Sequence, residues 1–292
     1  MRIVYYTSGV SGSGRLVRGI SIGNALRRGG LPADLTLLSS SPFGRLAETL
    51  GFRHVEIPAE PEHALTPESY ADSAVFQALQ SLRPDILLID LLWFPLHHFI
   101  HELPCRKVFL WQTLDERFFH IELPQGTLHF RPESYDLVLA IEPFSGPGPR
   151  RQVNPLVLRN REEILPRPQA LEALGLDEAR ENWLLSYNGR PGEFERLKNQ
   201  YEGDQQATRR LVCSTNYQGG LFPAVDYFNA FERVICGAGY NSFWEIVYFE
   251  KDAVLVPVQA QFVDPMRLIR EYRHYRFRKN GADQLVQIIL NL

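Results

Sequence analysis

The chain has 292 residues, 45% of them hydrophobic and 22% charged, with a formal net charge of -3 at neutral pH. That is the balance of a soluble globular protein of one large domain or two ordinary ones, and it leaves no basic field for nucleic acid. Cys105, Cys213 and Cys236 are too few and too scattered for a disulfide framework or a thiolate metal site, and no apolar run approaches the ~20 residues of a membrane span. The first residues enter a strand directly, without a leader pattern, so the expected location is the cytoplasm.

Ile3 to Thr7 is a β-branched and aromatic run, the mark of a buried strand. It feeds Ser8-Gly-Val-Ser-Gly-Ser-Gly14, after which Leu16 to Arg28 carries apolar residues at helical spacing. Ala33 to Leu38 is predicted as the next strand, Gly44 to Leu50 as a short helix, and His54 to Pro58 as a third strand, edge-like because prolines follow. After a polar loop, Tyr70 to Leu82 reads as a helix and Ile86 to Ile89 as a strand that Asp90 ends. Val108 to Trp111 and Leu137 to Ile141 are further strands. Strands alternating with helices predict a parallel sheet covered on both faces.

Composition changes at Pro143 to Pro155, where closely spaced prolines and glycines predict a linker. A second unit follows, with a strand at Leu184 to Tyr187, the loop Asn188-Gly-Arg-Pro-Gly192, a helix over Glu193 to Asn199, and a strand at Leu211 to Ser214. Arg233 to Cys236 is a short strand, Gly237-Ala238-Gly239 turns the chain, and Ser242 is placed to cap a helix before the strand Ala253 to Val258. A glycine turn between a strand and a helix N-terminus is an anion site, because unpaired N–H groups and the helix dipole point into it. The expected division is two α/β units, 1–150 and 151–292, the second shorter than usual for such a unit.

Cys236-Gly-Ala-Gly-Tyr-Asn-Ser-Phe-Trp-Glu245 resembles the donor motif of the GT-B glycosyltransferases that include the bacterial lipid II-forming N-acetylglucosaminyltransferase. The resemblance implies a GT-B fold, two Rossmann-like domains facing across a cleft, and a nucleotide diphosphate sugar, UDP-linked, as donor. It implies that Glu245 binds the ribose hydroxyls, that Gly237, Gly239, Asn241 and Ser242 face the diphosphate, and that Gly12, Gly14 and Arg190 approach it. Gln259 and Gln261 correspond to polar residues that reach the sugar. The family often has a histidine after the last glycine of the first loop, and this chain has Arg15 there, which cannot serve as a base.

Each candidate also has a structural reading. Asp90 at the end of its strand is the candidate base for an acceptor hydroxyl, or a loop aspartate capping backbone N–H groups, with Asp115 the second candidate base. Ser242-Phe-Trp-Glu245 is also a capping box. Arg190 could be a solvated turn residue. The first glycine loop is spaced G-x-x-G-x-G rather than as a nicotinamide fingerprint. Tyr275 and Lys279 have a reductase-like spacing, but on a basic helix near the chain end. His97, His98 and His101 resemble metal ligands but lack a third-ligand pattern. The run Arg267 to Lys279, with Arg270, Arg273, Arg276 and Arg278, reads as the solvated face of a helix or as peripheral contact with acidic lipid headgroups. The leading expectation is inverting, metal-independent sugar transfer without a cofactor, to an unknown acceptor. A nucleotide-sugar hydrolase and a non-catalytic nucleotide-sugar-binding partner subunit are the alternatives.

Overall fold

The computed structural model describes residues 1–8, 12–60, 66–124, 126–144, 148–149, 151–202, 209–258, 262–264 and 266–292. The first half runs β1 (Arg2–Thr7), α1 (Gly14–Arg28), β2 (Asp34–Ser39), α2 (Gly44–Thr49), β3 (Arg53–Glu56), α3 (Ala74–Leu82), β4 (Ile86–Asp90) and β5 (Arg106–Trp111). A hairpin of β6 (His120–Leu123) and β7 (Gly126–His129) precedes β8 (Leu137–Ala140) and β9 (Arg151–Gln152). The second half runs α4 (Arg167–Leu174), β10 (Glu181–Ser186), α5 (Pro191–Glu202), β11 (Arg209–Ser214), β12 (Arg233–Gly237), α6 (Tyr240–Phe249), β13 (Asp252–Val256), α7 (Arg267–Tyr272) and α8 (Gly281–Ile289).

There are two separate parallel sheets, as the alternation of elements predicts. The seven-stranded sheet has the order β3-β2-β1-β4-β5-β8-β9, and the four-stranded sheet the order β11-β10-β12-β13. Residues of β1 alternate between two cores: Ile3 and Tyr5 face α1, while Val4 and Tyr6 face a cluster holding Trp93, Phe99 and Phe109. Burial on both faces explains why β1 and β4 read as unbroken apolar runs. The first of these cores continues through Leu156 and Leu158 to Leu184 and Val234, so apolar packing joins the two sheets.

The chain between the sheets is tied down. Val153 N–H bonds Ala140 at 2.9 Å, Asn154 N–H bonds Gln284 at 2.8 Å, and Gly281 N–H bonds Pro155 at 3.0 Å. Helix α8 packs along α1 and buries Ala282, Leu285, Val286 and Ile289, one apolar stripe at helical spacing. Each of the larger side chains contributes about 1.5–3 kcal/mol by leaving water. Arg28 fixes the same junction from α1, reaching Asp283 at 2.6 Å and Glu163 at 2.9 Å.

Three local expectations need correction. The helix predicted over Tyr70 to Leu82 is a 3₁₀ turn (Tyr70–Asp72) followed by α3, because Ser73 turns extended and its Oγ caps Phe76 N–H at 3.2 Å. The basic helix predicted to Lys279 stops at Tyr272. Beyond it the chain runs as a strap: Tyr275 and Phe277 pack on Trp244, while the alternating Arg276 and Arg278 stay exposed. Alternation of this kind is an extended-chain pattern, and the high charge masks it in sequence. Third, residues 151–152 of the expected linker form β9, paired with β8.

Gly281 begins α8 where a Cβ would stand 1.7 Å from the Asn154 carbonyl oxygen. Backbone cannot yield as a side chain tip can. Gly281→Ala should therefore lower unfolding stability by about 1–3 kcal/mol, the usual range for overpacking, as read in urea melts.

Candidate functional site

In open α/β sheets, ligands gather beyond the carboxyl ends of strands where strand order reverses. In the first sheet that point lies between β1 and β4, and in the second between β10 and β12. Both open into one cavity of about 410 Å³. Ser8 and Leu91 line it at the first reversal; Ser186, Asn188, Gly189, Gly237 and Gly239 line it at the second. Leu91 and Phe262, both in its wall, have φ of 66° and 63°. A left-handed backbone at such residues costs roughly 1–3 kcal/mol and tends to gather at functional sites.

On the second-sheet side, α6 starts at Tyr240, with Gly239 as its N-cap and no side-chain cap. The expectation that Ser242 caps this helix is therefore corrected: Ser242 lies inside the first turn, and Ser242 and Glu245 do not form a capping box. The three leading N–H groups, of Tyr240, Asn241 and Ser242, have no helical partners and lie at the cavity. Glu245, one turn further on, lines the same cavity and is partly buried. Burial and then the nearby Asp226 push its carboxyl up to about 8, against the pull of the Leu158 backbone and Arg159. Arg159 cannot neutralise it fully, because its guanidinium is forked onto Asp226 at 2.8 and 3.2 Å.

On the first-sheet side, Gly12, Ser13, Gly14 and Arg15 lie at the mouth of α1. Asn216 Nδ2 donates to Ser13 Oγ at 2.8 Å, and Asn241 Nδ2 to the Gly14 carbonyl at 2.7 Å. The two glycine turns are thus bonded across the cleft. Tyr240 reinforces the contact: its ring lies 4.8 Å from the Arg18 guanidinium, and its hydroxyl bonds the Ile141 carbonyl.

Asp90 ends β4 as predicted, but its rim position is corrected, since the residue is 0% exposed. Arg18 Nε and Nη2 donate to its two oxygens at 2.8 and 3.0 Å, and Tyr5 Oη donates as well. Burial opposes the Arg18 charge, but Asp90 and Tyr5 outweigh it and hold the guanidinium above its ordinary value. Asp115 is exposed, and Arg117 covers it with Nε at 2.9 Å and Nη2 at 2.8 Å. Those bonds hold its carboxyl down at about 2, too acidic to accept a hydroxyl proton near neutrality. Neither aspartate lines the cavity, although Leu91 and Leu114 beside them do.

Of the other expected donor residues, Gly12, Gly14, Gly237, Gly239, Asn241, Ser242 and Glu245 come together at the cavity. Arg190 does not: it is exposed at the head of α5, and Asn188 and Gly189 take the lining position instead. Gln259 and Gln261 lie outside the described residues. His97 and His101, which helical spacing would put on one face, instead belong to two separate 3₁₀ turns, and burial pushes His97 down to about 4. Among the described residues no group of three or more His, Cys, Asp or Glu side chains is placed to hold a metal ion. Sequence reasoning passed over Asn216, Tyr240 and Gln112. Each follows a strand, but a lone amide or tyrosine gives no signal by spacing.

The paired sheets and the cavity at both reversals define the class: this is the GT-B fold, two Rossmann-like units facing across a cleft. No protein-family model matches the chain, and no curated protein matches its sequence. Solved structures do. MurG from Acinetobacter baumannii superposes with a TM-score of 0.56 at 11% identity, covering 100% of this chain and 99% of that one. The spinosyn rhamnosyltransferase SpnG with thymidine diphosphate gives 0.60 at 13% identity, covering 100% and 92%. SsfS6, a glycosyltransferase of Streptomyces sp. SF2575, gives 0.57 at 14% identity, covering 92% and 85%.

The burial of Asp90 yields a prediction that separates holding from catalysis. Asp90→Asn leaves the Arg18 guanidinium, 4% exposed, without its countercharge. Breaking such a pair costs about 3–5 kcal/mol, so the variant should show a much lower urea midpoint. A variant that melts like wild type would return Asp90 to the list of candidate bases.

Proposed function

We propose that the protein transfers a sugar from a nucleoside diphosphate sugar, UDP-linked, to an acceptor, with inversion at the sugar carbon. The observation that carries this reading is Glu245, a partly buried carboxylate at the cavity, one turn beyond free helix N–H groups and with no capping duty. Its two oxygens are acceptors only when ionised, which suits the paired hydroxyls of a ribose. The diphosphate then falls on the α6 N-terminus, where the dipole and the N–H groups of Asn241 and Ser242 meet the charge that develops as the glycosidic bond breaks. These interactions do not depend on a bound metal. SpnG and SsfS6 have both been solved with thymidine diphosphate, which supports a nucleoside diphosphate as the ligand class.

The acceptor belongs on the first-sheet side, where Leu91, Leu114, Phe118 and Phe262 give the cavity an apolar wall. That wall suits an acceptor whose hydroxyl is carried on an apolar body. In this reading Asp90 holds Arg18 in place and does not activate the acceptor. The first unit comprises residues through Gln152 together with α8, which packs on α1; the second holds the donor.

Glutamine at 245 keeps the shape and removes one acceptor and the charge. Glu245→Gln should weaken binding of a UDP-sugar by roughly 1.5–3 kcal/mol in calorimetry, the range for hydrogen bonds to a charged group. Undiminished affinity would contradict the reading. The pH dependence has a definite sign. With the free-state carboxyl near 8, ligand binding that favours the ionised form must release a proton at lower pH. Affinity for a UDP-sugar, whose diphosphate diester does not titrate in this range, should therefore fall as pH drops from 8 to 6, by at most about tenfold per unit. Glu245→Gln should flatten that slope.

A further inference from the structure

We infer that Arg15 is a ligand of the donor's diphosphate and stabilises the leaving group during transfer. The inference rests on the reading of the cleft as a nucleoside diphosphate sugar site.

Arg15 is the second residue of α1, and Ser13, its N-cap, makes no side-chain cap. A cation in the first turn opposes the helix dipole, which favours anions there. Its side-chain hydrogen-bond partner is neutral, and Asp90 supports the charge without bonding it. The guanidinium donates to Ser8 Oγ at 2.9 Å, a neutral acceptor, and among the described residues it makes no ion pair. Arg18, one turn on, bonds both oxygens of Asp90, so that carboxylate acts on Arg15 through its charge alone. Burial lowers the Arg15 guanidinium most and Arg18 adds to this, against the support of Asp90 and Tyr5, yet an arginine does not give up its proton. A cation without an ion-pair partner in a cavity wall is a local conflict that a bound anion would ease, and such conflicts gather at functional sites.

The direction of the anion follows from the bond between Asn241 and Gly14 at 2.7 Å, which sets the first turns of α1 and α6 against each other. Neither turn contains an acidic residue, and neither has a side-chain cap. Two helix N-termini and one guanidinium therefore converge on the space that a diphosphate would fill. A planar guanidinium can grip phosphate oxygens in a fork, and it is always charged. In the reaction the acceptor oxygen bonds the anomeric carbon and loses its proton to solvent. The bond from that carbon to the diphosphate oxygen breaks, and its electron pair stays on the diphosphate. Arg15 meets that pair of electrons from the α1 side, the N–H groups of α6 from the other.

The test compares wild type, Arg15→Gln, Arg15→Lys and Glu245→Gln by calorimetry with UDP, dTDP and uridine. Arg15→Gln should bind UDP and dTDP about tenfold or more weakly, the scale of one lost charged hydrogen bond, and bind uridine like wild type. Arg15→Lys, which keeps charge but not the fork, should fall between. Arg15→Gln should melt no lower than wild type, because the side chain it replaces opposes the helix dipole. If Arg15→Gln and Arg15→Lys bind UDP like wild type while Glu245→Gln weakens UDP and uridine alike, this inference fails and the reading of the cleft stands. If wild type binds neither UDP nor dTDP, the reading itself fails and the inference with it.

Discussion

The guanidinium of Arg18 sits where β1, β4, α1 and α6 meet, and the cleft is arranged around it. It is buried, forked onto an equally buried Asp90 that Tyr5 also bonds, and packed under the ring of Tyr240. A buried charge of this kind is tolerated only with full compensation, so the positions of these four elements are set together. One consequence is that the first glycine turn stands against the second, with Ser13 and Gly14 bonded to Asn216 and Asn241. The other is that Asp90 has no oxygen to spare for an acceptor. The same carboxylate that reads as a base in sequence is what holds the cleft in shape.

Much of the architecture is legible in the amino-acid order. Buried parallel strands are short apolar runs, and each glycine loop before a helix marks a reversal point, so Ile3 to Thr7 and Arg233 to Gly239 declare themselves. What escaped was local or distant in a specific sense. The hairpin β6–β7 is short: the alternation of β6 lasts only four residues, and Gly126 and Thr127 open β7 without continuing it. The strap beyond Tyr272 looks helical because its arginines hide the two-residue alternation of Tyr275 and Phe277. Ser242 looks like a cap, yet Gly239 takes that place and leaves the N–H groups open. The partner of Asp90 lies 72 residues earlier, and no spacing rule connects the two.

The cavity concentrates features that stability alone does not favour. Glu245 is a carboxyl raised to about 8, Arg15 is a cation at a helix N-terminus, and Leu91 and Phe262 hold left-handed backbone. Elsewhere the described residues include covered sheets, capped α3 and α8, and exposed ion pairs that contribute little. A site that binds an anion through helix termini and a sugar ring through a carboxylate needs groups held ready before the ligand arrives. Those groups are the ones that fit poorly without it.

The central claim is that both reversal points serve one nucleotide, with the ribose on Glu245 and the diphosphate at the α6 N-terminus. A crystal structure of the protein with UDP tests it most directly. The account predicts ribose hydroxyls within hydrogen-bonding distance of the Glu245 carboxylate and phosphate oxygens on the N–H groups of Asn241 and Ser242. A nucleotide seated away from Glu245, or held by the first sheet alone, would contradict it.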